Sequence, residues 1–205
     1  MSKRLSMAAV AVALAAMLVP AAAWAQGNPG GENRVRLFGG FSYLDFSIPP
    51  DVGVPETSKS LYGLQGNLTY YLTSRVGIFA DGAFNTGSIL PDDAPDQITS
   101  ADLVQTTLLF GPRFLLVNSR NIAIEAFGAI GWATGSIDVV GSTNGTNVYD
   151  TVGQTVFATS FGADVDAMFG NGNWGVRFAQ LEVLILNYEQ TTSSIRYSGG
   201  IVGRF

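Results

Sequence analysis

Residues 62–72 alternate without a break. Tyr62, Leu64, Gly66, Leu68, Tyr70 and Leu72 share one parity, and Gly63, Gln65, Asn67, Thr69 and Tyr71 hold the other. Successive side chains of a strand point to opposite faces, so this stretch predicts a strand with one apolar and one polar face. The same pattern recurs along the chain. Val35, Leu37, Gly39, Phe41 and Tyr43 oppose Arg36, Phe38, Gly40 and Ser42. Val76, Ile78, Ala80, Gly82 and Phe84 oppose Gly77, Phe79, Asp81 and Ala83. Val104, Thr106, Leu108, Phe110 and Phe114 oppose Gln105, Thr107, Leu109, Gly111 and Arg113. Ile122, Ile124, Ala126, Gly128, Ile130 and Trp132 oppose Glu125, Phe127, Ala129 and Gly131. Phe157, Thr159, Phe161, Ala163 and Val165 oppose Ser160, Gly162, Asp164 and Asp166. The last stretch sets Ile195, Tyr197, Gly199, Ile201, Gly203 and Phe205 against Arg196, Ser198, Gly200, Val202 and Arg204.

The seventh stretch changes step. Val176 and Phe178 share a parity that Leu181, Val183 and Ile185 abandon, and Arg177 is out of step with Gln180 and Glu182. One extra residue near Ala179 restores both faces, which predicts a β-bulge. The alternative is a strand that starts later, with residues 174–178 in a turn. The connections alternate in length. Residues 47–61, 86–102 and 135–155 are long and rich in Pro, Gly, Ser, Asn and Asp, while 73–75, 117–121 and 169–173 are short and carry turn residues. A fourth connection on the long-loop side, about 188–194, is shorter. Eight strands with long loops at one end and tight turns at the other predict an all-β, antiparallel up-and-down transmembrane barrel, with both termini at the tight-turn end.

Alternation does not say which face is outside, because a soluble lipocalin-type barrel has the same period with its apolar face inward. Depth decides for the membrane. Rings cluster near strand ends on the apolar parity (Tyr43, Tyr62, Tyr70, Phe84, Trp132, Tyr197, Phe205), as interfacial girdles require. Charges on that parity are nearly absent within a span, with Asp45 the exception at the outer rim. The inward set is then a luminal polar network: Arg36, Asp81, Arg113, Glu125, Asp164, Asp166, Arg177, Gln180, Glu182, Arg196 and Arg204, with Gln65, Asn67 and Gln105 as neutral partners. Buried charges need opposite charges and hydrogen bonds, and an eight-stranded barrel is only wide enough for side chains to fill. A filled polar lumen follows, with no large pore.

Chemistry beyond this finds little support. Asp164 and Asp166 share a face and can pose as a metal or proton-sharing pair, but luminal arginines are the expected partners, so no metal is assigned. Glu125 and Glu182 resemble a glycosidase pair without a cleft. Residues 170–173, Gly-Asn-Gly-Asn, precede a strand and not a helix, so they form no phosphate-binding loop. With no His and no Cys, neither a Ser-His-Asp nor a Cys-His arrangement exists, so no catalytic residue and no cofactor is expected.

Composition adds an address. Lys3 and Arg4 precede an apolar run, residues 7–19, and Ala23-Trp24-Ala25 offers small residues at a cleavage point before Gln26. The run is shorter than the roughly twenty residues of a spanning helix, which favours a cleaved signal peptide, residues 1–25, over a retained anchor. Residues 26–32 are a Gly/Asn/Pro-rich flexible start, and 33–205 form one barrel domain. Without Lys3 and Arg4 the chain has 11 − 2 = 9 basic against 16 acidic residues, a poor match for nucleic acid. Asp51, Glu56, Asp92, Asp93, Asp96, Asp102, Asp138, Asp150 and Glu189 face only Lys59 in the outer connections. They are read as solvated surface, with divalent-cation binding the sharper alternative.

Several stretches carry a family likeness: Arg34-Val35-Arg36-Leu37-Phe38-Gly39-Gly40-Phe41-Ser42-Tyr43, Phe110-Gly111-Pro112-Arg113, Phe161-Gly162-Ala163-Asp164, Val176-Arg177-Phe178-Ala179-Gln180, and Ser198-Gly199-Gly200-Ile201-Val202-Gly203-Arg204-Phe205. Across residues 33–205 the chain resembles the small outer-membrane β-barrels that include the OmpA transmembrane domain and the OmpX/Ail-type surface proteins. The resemblance implies residence in the bacterial outer membrane among lipid and lipopolysaccharide. It also implies insertion by the barrel-assembly machinery, with Tyr197, Ile201 and Phe205 of the terminal strand as the assembly signal. No peptidoglycan-binding segment follows Phe205, so cell-wall anchoring is not carried over. The expected function is a non-catalytic structural or envelope role. The alternatives are a surface adhesin or ligand-binding barrel acting through residues 86–102 and 135–155, and, more weakly, a narrow porin-like channel. OmpX/Ail-type adhesion depends on protruding strands and loop identity.

Overall fold

The computed structural model describes residues 34–47, 58–88, 98–119, 121–143, 146–169, 172–187 and 191–205. The proposed signal peptide, 1–25, and the segment 26–32 lie outside the described residues. Eight strands follow in chain order: β1 Val35–Ser47, β2 Ser58–Tyr71, β3 Val76–Ser88, β4 Ile98–Asn118, β5 Ile122–Thr143, β6 Thr146–Phe169, β7 Trp174–Asn187 and β8 Thr191–Arg204. Each pairs antiparallel with its neighbours, and β8 returns to β1, so the sheet closes into a barrel. At the closing seam Phe41 lies opposite Gly199 and Tyr43 opposite Tyr197.

The two parities face as the depth argument requires. Leu64 is 59% and Ile130 57% exposed on the outer wall, whereas Arg113 and Glu125 are each 0% exposed inside. That overturns the soluble-barrel alternative, whose apolar residues would be the buried ones. The wall is bounded by rings. Tyr43 packs edge-on to Tyr62 at 5.3 Å and lies 6.3 Å from Tyr197 near one end, while Trp174 meets Phe205 at 5.6 Å near the other. Phe205 is hydrogen-bonded to Val35, eight residues from Tyr43 along β1. At about 3.3 Å per residue this is roughly 26 Å along the strand, or about 20 Å of height at a tilt near 40°, which fits within the ~25 Å apolar band of such barrels.

The change of step in β7 is a bulge. Arg177 pairs with Gly200 and Gln180 with Ser198, so Phe178 and Ala179 together oppose Gly199, and both face outward. The extra residue keeps Arg177, Gln180 and Glu182 all inside. Glycine permits the tight curvature of the wall at specific inward positions. A Cβ on Gly63 would lie 1.7 Å from the Phe84 carbonyl oxygen, and one on Gly200 2.3 Å from that of Gly39. Gly172, at φ 81°, takes the left-handed conformation in the turn before β7.

Two of the long connections are partly strand. β3 runs to Ser88 and β4 begins at Ile98, so of residues 86–102 only 89–97 lie outside the described residues. Residues 135–155 are a β-hairpin, laddered from Gly135↔Gln154 to Thr143↔Thr146. The polar composition concealed β-branched residues at strand spacing (Ile137, Val139, Val148, Val152) around Asn144-Gly145, a favoured hairpin-turn pair.

Candidate functional site

The lumen is filled by two stacked layers of different chemistry. Toward the tight-turn end lies the charged layer, supplied by six strands. Arg177 on β7 holds Asp166 with two nitrogens, Nε to Oδ1 at 2.8 Å and Nη2 to Oδ2 at 3.2 Å, and reaches Asp164 at 3.3 Å. Arg113 on β4 lies 3.3 Å from Glu125 and 3.5 Å from Asp164. Arg36 on β1 lies 3.2 Å from Asp166 and also pairs with Glu125, which accepts a hydrogen bond from Tyr71 of β2. Aromatic faces cover the guanidinium groups: Arg113 sits 4.6 Å from the Phe79 ring centre, and Arg177 4.4 Å from that of Phe38.

Glu125, Asp164 and Asp166 place one oxygen each within 4.8 Å of one another, a spacing that suits a cation. Three arginines already interleave them, so the charges balance three against three. Above this group, Arg196 on β8 uses all three nitrogens. It donates to Glu182 at 2.7 and 2.9 Å, to Asp81 at 3.0 Å and to Thr107 at 2.8 Å. Gln65 donates to the second Asp81 oxygen at 2.7 Å and accepts from Ser198. Gln180 links the groups, accepting from Arg177 at 2.7 Å and donating to Glu182 at 3.5 Å.

Of the sequence-derived network, ten of the eleven members named there join these two groups, Arg36, Asp81, Arg113, Glu125, Asp164, Asp166, Arg177, Gln180, Glu182 and Arg196. Arg204 does not. It stands at the tight-turn mouth, donating to Asn118 at 3.3 Å. Tyr71, Thr107 and Ser198 are partners that sequence reasoning did not single out, although all three fall on the inward parity. Glu125 and Glu182 sit in separate ion-paired groups, an arrangement unlike two carboxylates flanking a sugar.

The second layer, toward the long hairpins, is largely leucine. Leu44, Phe46, Leu61, Leu103, Leu109, Val156, Leu184 and Leu186 are buried together, with Ile137 packed against them. The upper half of the lumen is therefore mainly apolar, with buried Gln105, Thr192 and Ser194 set among the leucines. Beyond the plug the wall continues on one side. β6 pairs with β7 only from Phe157 onward, so residues 146–156 have β5 on one edge and, among the described residues, no strand on the other. β5 in turn pairs with β4 out to Ile98↔Gly141. A three-stranded sheet thus stands above the barrel, with roughly 35 Å of open β6 edge at about 3.3 Å per residue.

No family model matches this sequence, and no curated protein matches it. Solved structures do. The attachment invasion locus protein Ail of Yersinia pestis superposes with a TM-score of 0.57 at 13% identity, over 85% of this chain and 100% of that one. Neisserial surface protein A gives 0.56 at 11% identity, over 83% of this chain and 96% of that one. This chain has the fold of the small outer-membrane β-barrels. Ail has also been solved with the heparin analogue sucrose octasulfate, and that structure superposes with a TM-score of 0.53 at 13% identity, over 84% of this chain and 97% of that one.

Proposed function

We propose that this chain is an integral, non-catalytic outer-membrane protein that acts outside the membrane, with the barrel serving as a sealed mount for the protruding β4–β5–β6 sheet. The observation that carries this reading is the open edge of β6. Its residues 146–156 hold one charge, Asp150, and no proline or lysine, so they lack the usual devices that blunt an exposed edge. An edge of that kind accepts an added strand through main-chain hydrogen bonds. The partner is an extended segment of another surface protein and not a polyanion. Residues 86–102 carry four Asp and 135–155 two, with no Lys or Arg in either. A sulfated ligand of the type seen with Ail finds no cationic set here. Replacing residues 138–151 by a two-residue turn should abolish adherence of cells displaying the barrel. Unchanged adherence at equal surface amounts would refute the reading.

The envelope-structural role, the first expectation from the sequence, becomes the second reading, supported by the ion-paired lower layer and the mainly apolar layer above it. In both readings the leader directs export, and lipid and lipopolysaccharide surround the wall. The terminal strand, with Tyr197, Ile201 and Phe205 outward, is the segment offered to the assembly machinery. Removing Phe205 should lower the inserted amount in cells while leaving refolding into detergent intact; normal insertion in cells argues against that assignment.

A further inference from the structure

The tight-turn mouth of the barrel holds a cavity of about 300 Å³ whose lining includes three guanidinium groups and, among the described residues, no carboxylate side chain. They come from Arg34, just before β1, Arg36 on β1 and Arg204 at the end of β8. Arg36 is already spoken for, since it pairs inward with Glu125 and Asp166. Arg34 and Arg204 have no carboxylate within 4.0 Å among the described residues. Two buried nitrogens of Arg204, Nε and Nη2, make no hydrogen bond at all. Buried donors left unpaired are costly, and charged ones more so.

We infer that this mouth is a binding site for a phosphate group. The charge argument is local. The adjoining layer balances Arg36, Arg113 and Arg177 against Glu125, Asp164 and Asp166, which leaves the charges of Arg34 and Arg204 uncompensated by any described side chain beside the cavity. The deeper group, Arg196 with Asp81 and Glu182, carries one negative charge in excess and lies beyond that balanced layer. One neutral lining residue is set to donate as well. Thr73 Oγ1 accepts from the N–H groups of Arg75 and Val76 at 3.3 and 3.0 Å, which frees its own proton for an acceptor in the cavity. A tetrahedral oxyanion takes donors from several directions at once, whereas a carboxylate offers two oxygens in one plane. The arginine fork is the group that recognises such an anion bidentately. Trp174 and Phe205 mark the membrane interface at this end, so the phosphate can come from solution or from a lipid headgroup reaching over the rim.

The test uses the isotope-labelled barrel in phosphatidylcholine nanodiscs, titrated with inorganic phosphate while arginine side-chain signals are followed by NMR. The expected result is a saturable shift confined to the mouth arginines, with Arg113 and Arg196 unmoved. In the R34Q/R204Q variant the affinity should fall about tenfold or more, the loss expected for charge-assisted hydrogen bonds. Heat-dependent gel migration verifies that the variant is folded. If it is not, R34Q alone, at an exposed position, carries the comparison. Repeating the titration in nanodiscs containing phosphatidic acid separates the sources. A weakened apparent affinity there identifies the lipid phosphate as occupant, and an unchanged one identifies the free anion. Absence of a saturable shift, or equal binding by the folded variant, overturns the assignment.

Discussion

Arg196→Met and Asp81→Asn each remove one charge from the same hydrogen-bonded group, and the structure predicts very different consequences. Arg196 is the single cation between two carboxylates, Asp81 and Glu182, and all three of its nitrogens are engaged. Methionine fills the stem's volume but leaves two buried carboxylates facing each other, a break that costs about 3–5 kcal/mol. That is roughly two to four orders of magnitude in the folding equilibrium. Asp81→Asn instead removes the surplus negative charge. Its amide can accept from Arg196 and donate to Gln65 once the Gln65 amide flips. The Ser198 hydroxyl, now donating to Gln65, then rotates to accept. The expected cost is about 1 kcal/mol or less. Urea titration in lipid vesicles measures both, with Trp132 and Trp174 on the outer wall reporting the passage from lipid to water. Equal, small effects of the two substitutions would refute the reasoning, because they would mean a lumen wet enough to solvate the stranded carboxylates.

Three further outcomes follow from the wall and the lumen. Deleting Ala179 removes the extra residue and leaves a strictly alternating strand with Arg177 still opposite Gly200 and Gln180 opposite Ser198, so the heat-modifiable band should persist in gels; its disappearance would contradict the bulge assignment. Gly63→Ala should lower refolding yield sharply, since its Cβ would meet the Phe84 carbonyl, whereas Gly39→Ala, with nothing within 4 Å, should refold as wild type. In planar bilayers the purified barrel should show no stable conductance; steps that vanish on exchanging Arg113 or Glu125 would contradict the sealed lumen.

Period-two alternation made the strands, their faces and the β7 bulge legible in the sequence, because one misplaced residue moves Arg177 to the wrong side of a membrane wall. The pairings inside the lumen were not legible. Arg36 meets Asp166 across 130 residues, and parity says only that both point inward, not which opposes which. Strand length was also hidden. Beyond the bilayer no apolar face is demanded, so residues 135–155 read as loop although Ile137 still pairs with Val152. The apolar upper lumen escaped for a related reason: Leu44, Phe46 and Leu184 are unremarkable as single residues and form a plug only when the closed barrel stacks them. Arg204 shares the parity of the luminal arginines, yet its place at the end of β8 sets it at the mouth, apart from their carboxylates.

The absence of cysteine lets one label be placed anywhere without background. Single spin labels stepped along β7 from Gly175 to Leu186, in lipid vesicles, report contact with oxygen in hydrocarbon or with a water-soluble relaxant. The account predicts oxygen contact at every second residue, with Phe178 and Ala179 both in lipid and the alternation resuming on the opposite parity from Leu181. Oxygen contact at Arg177, Gln180 and Glu182, or no alternation at all, would contradict it.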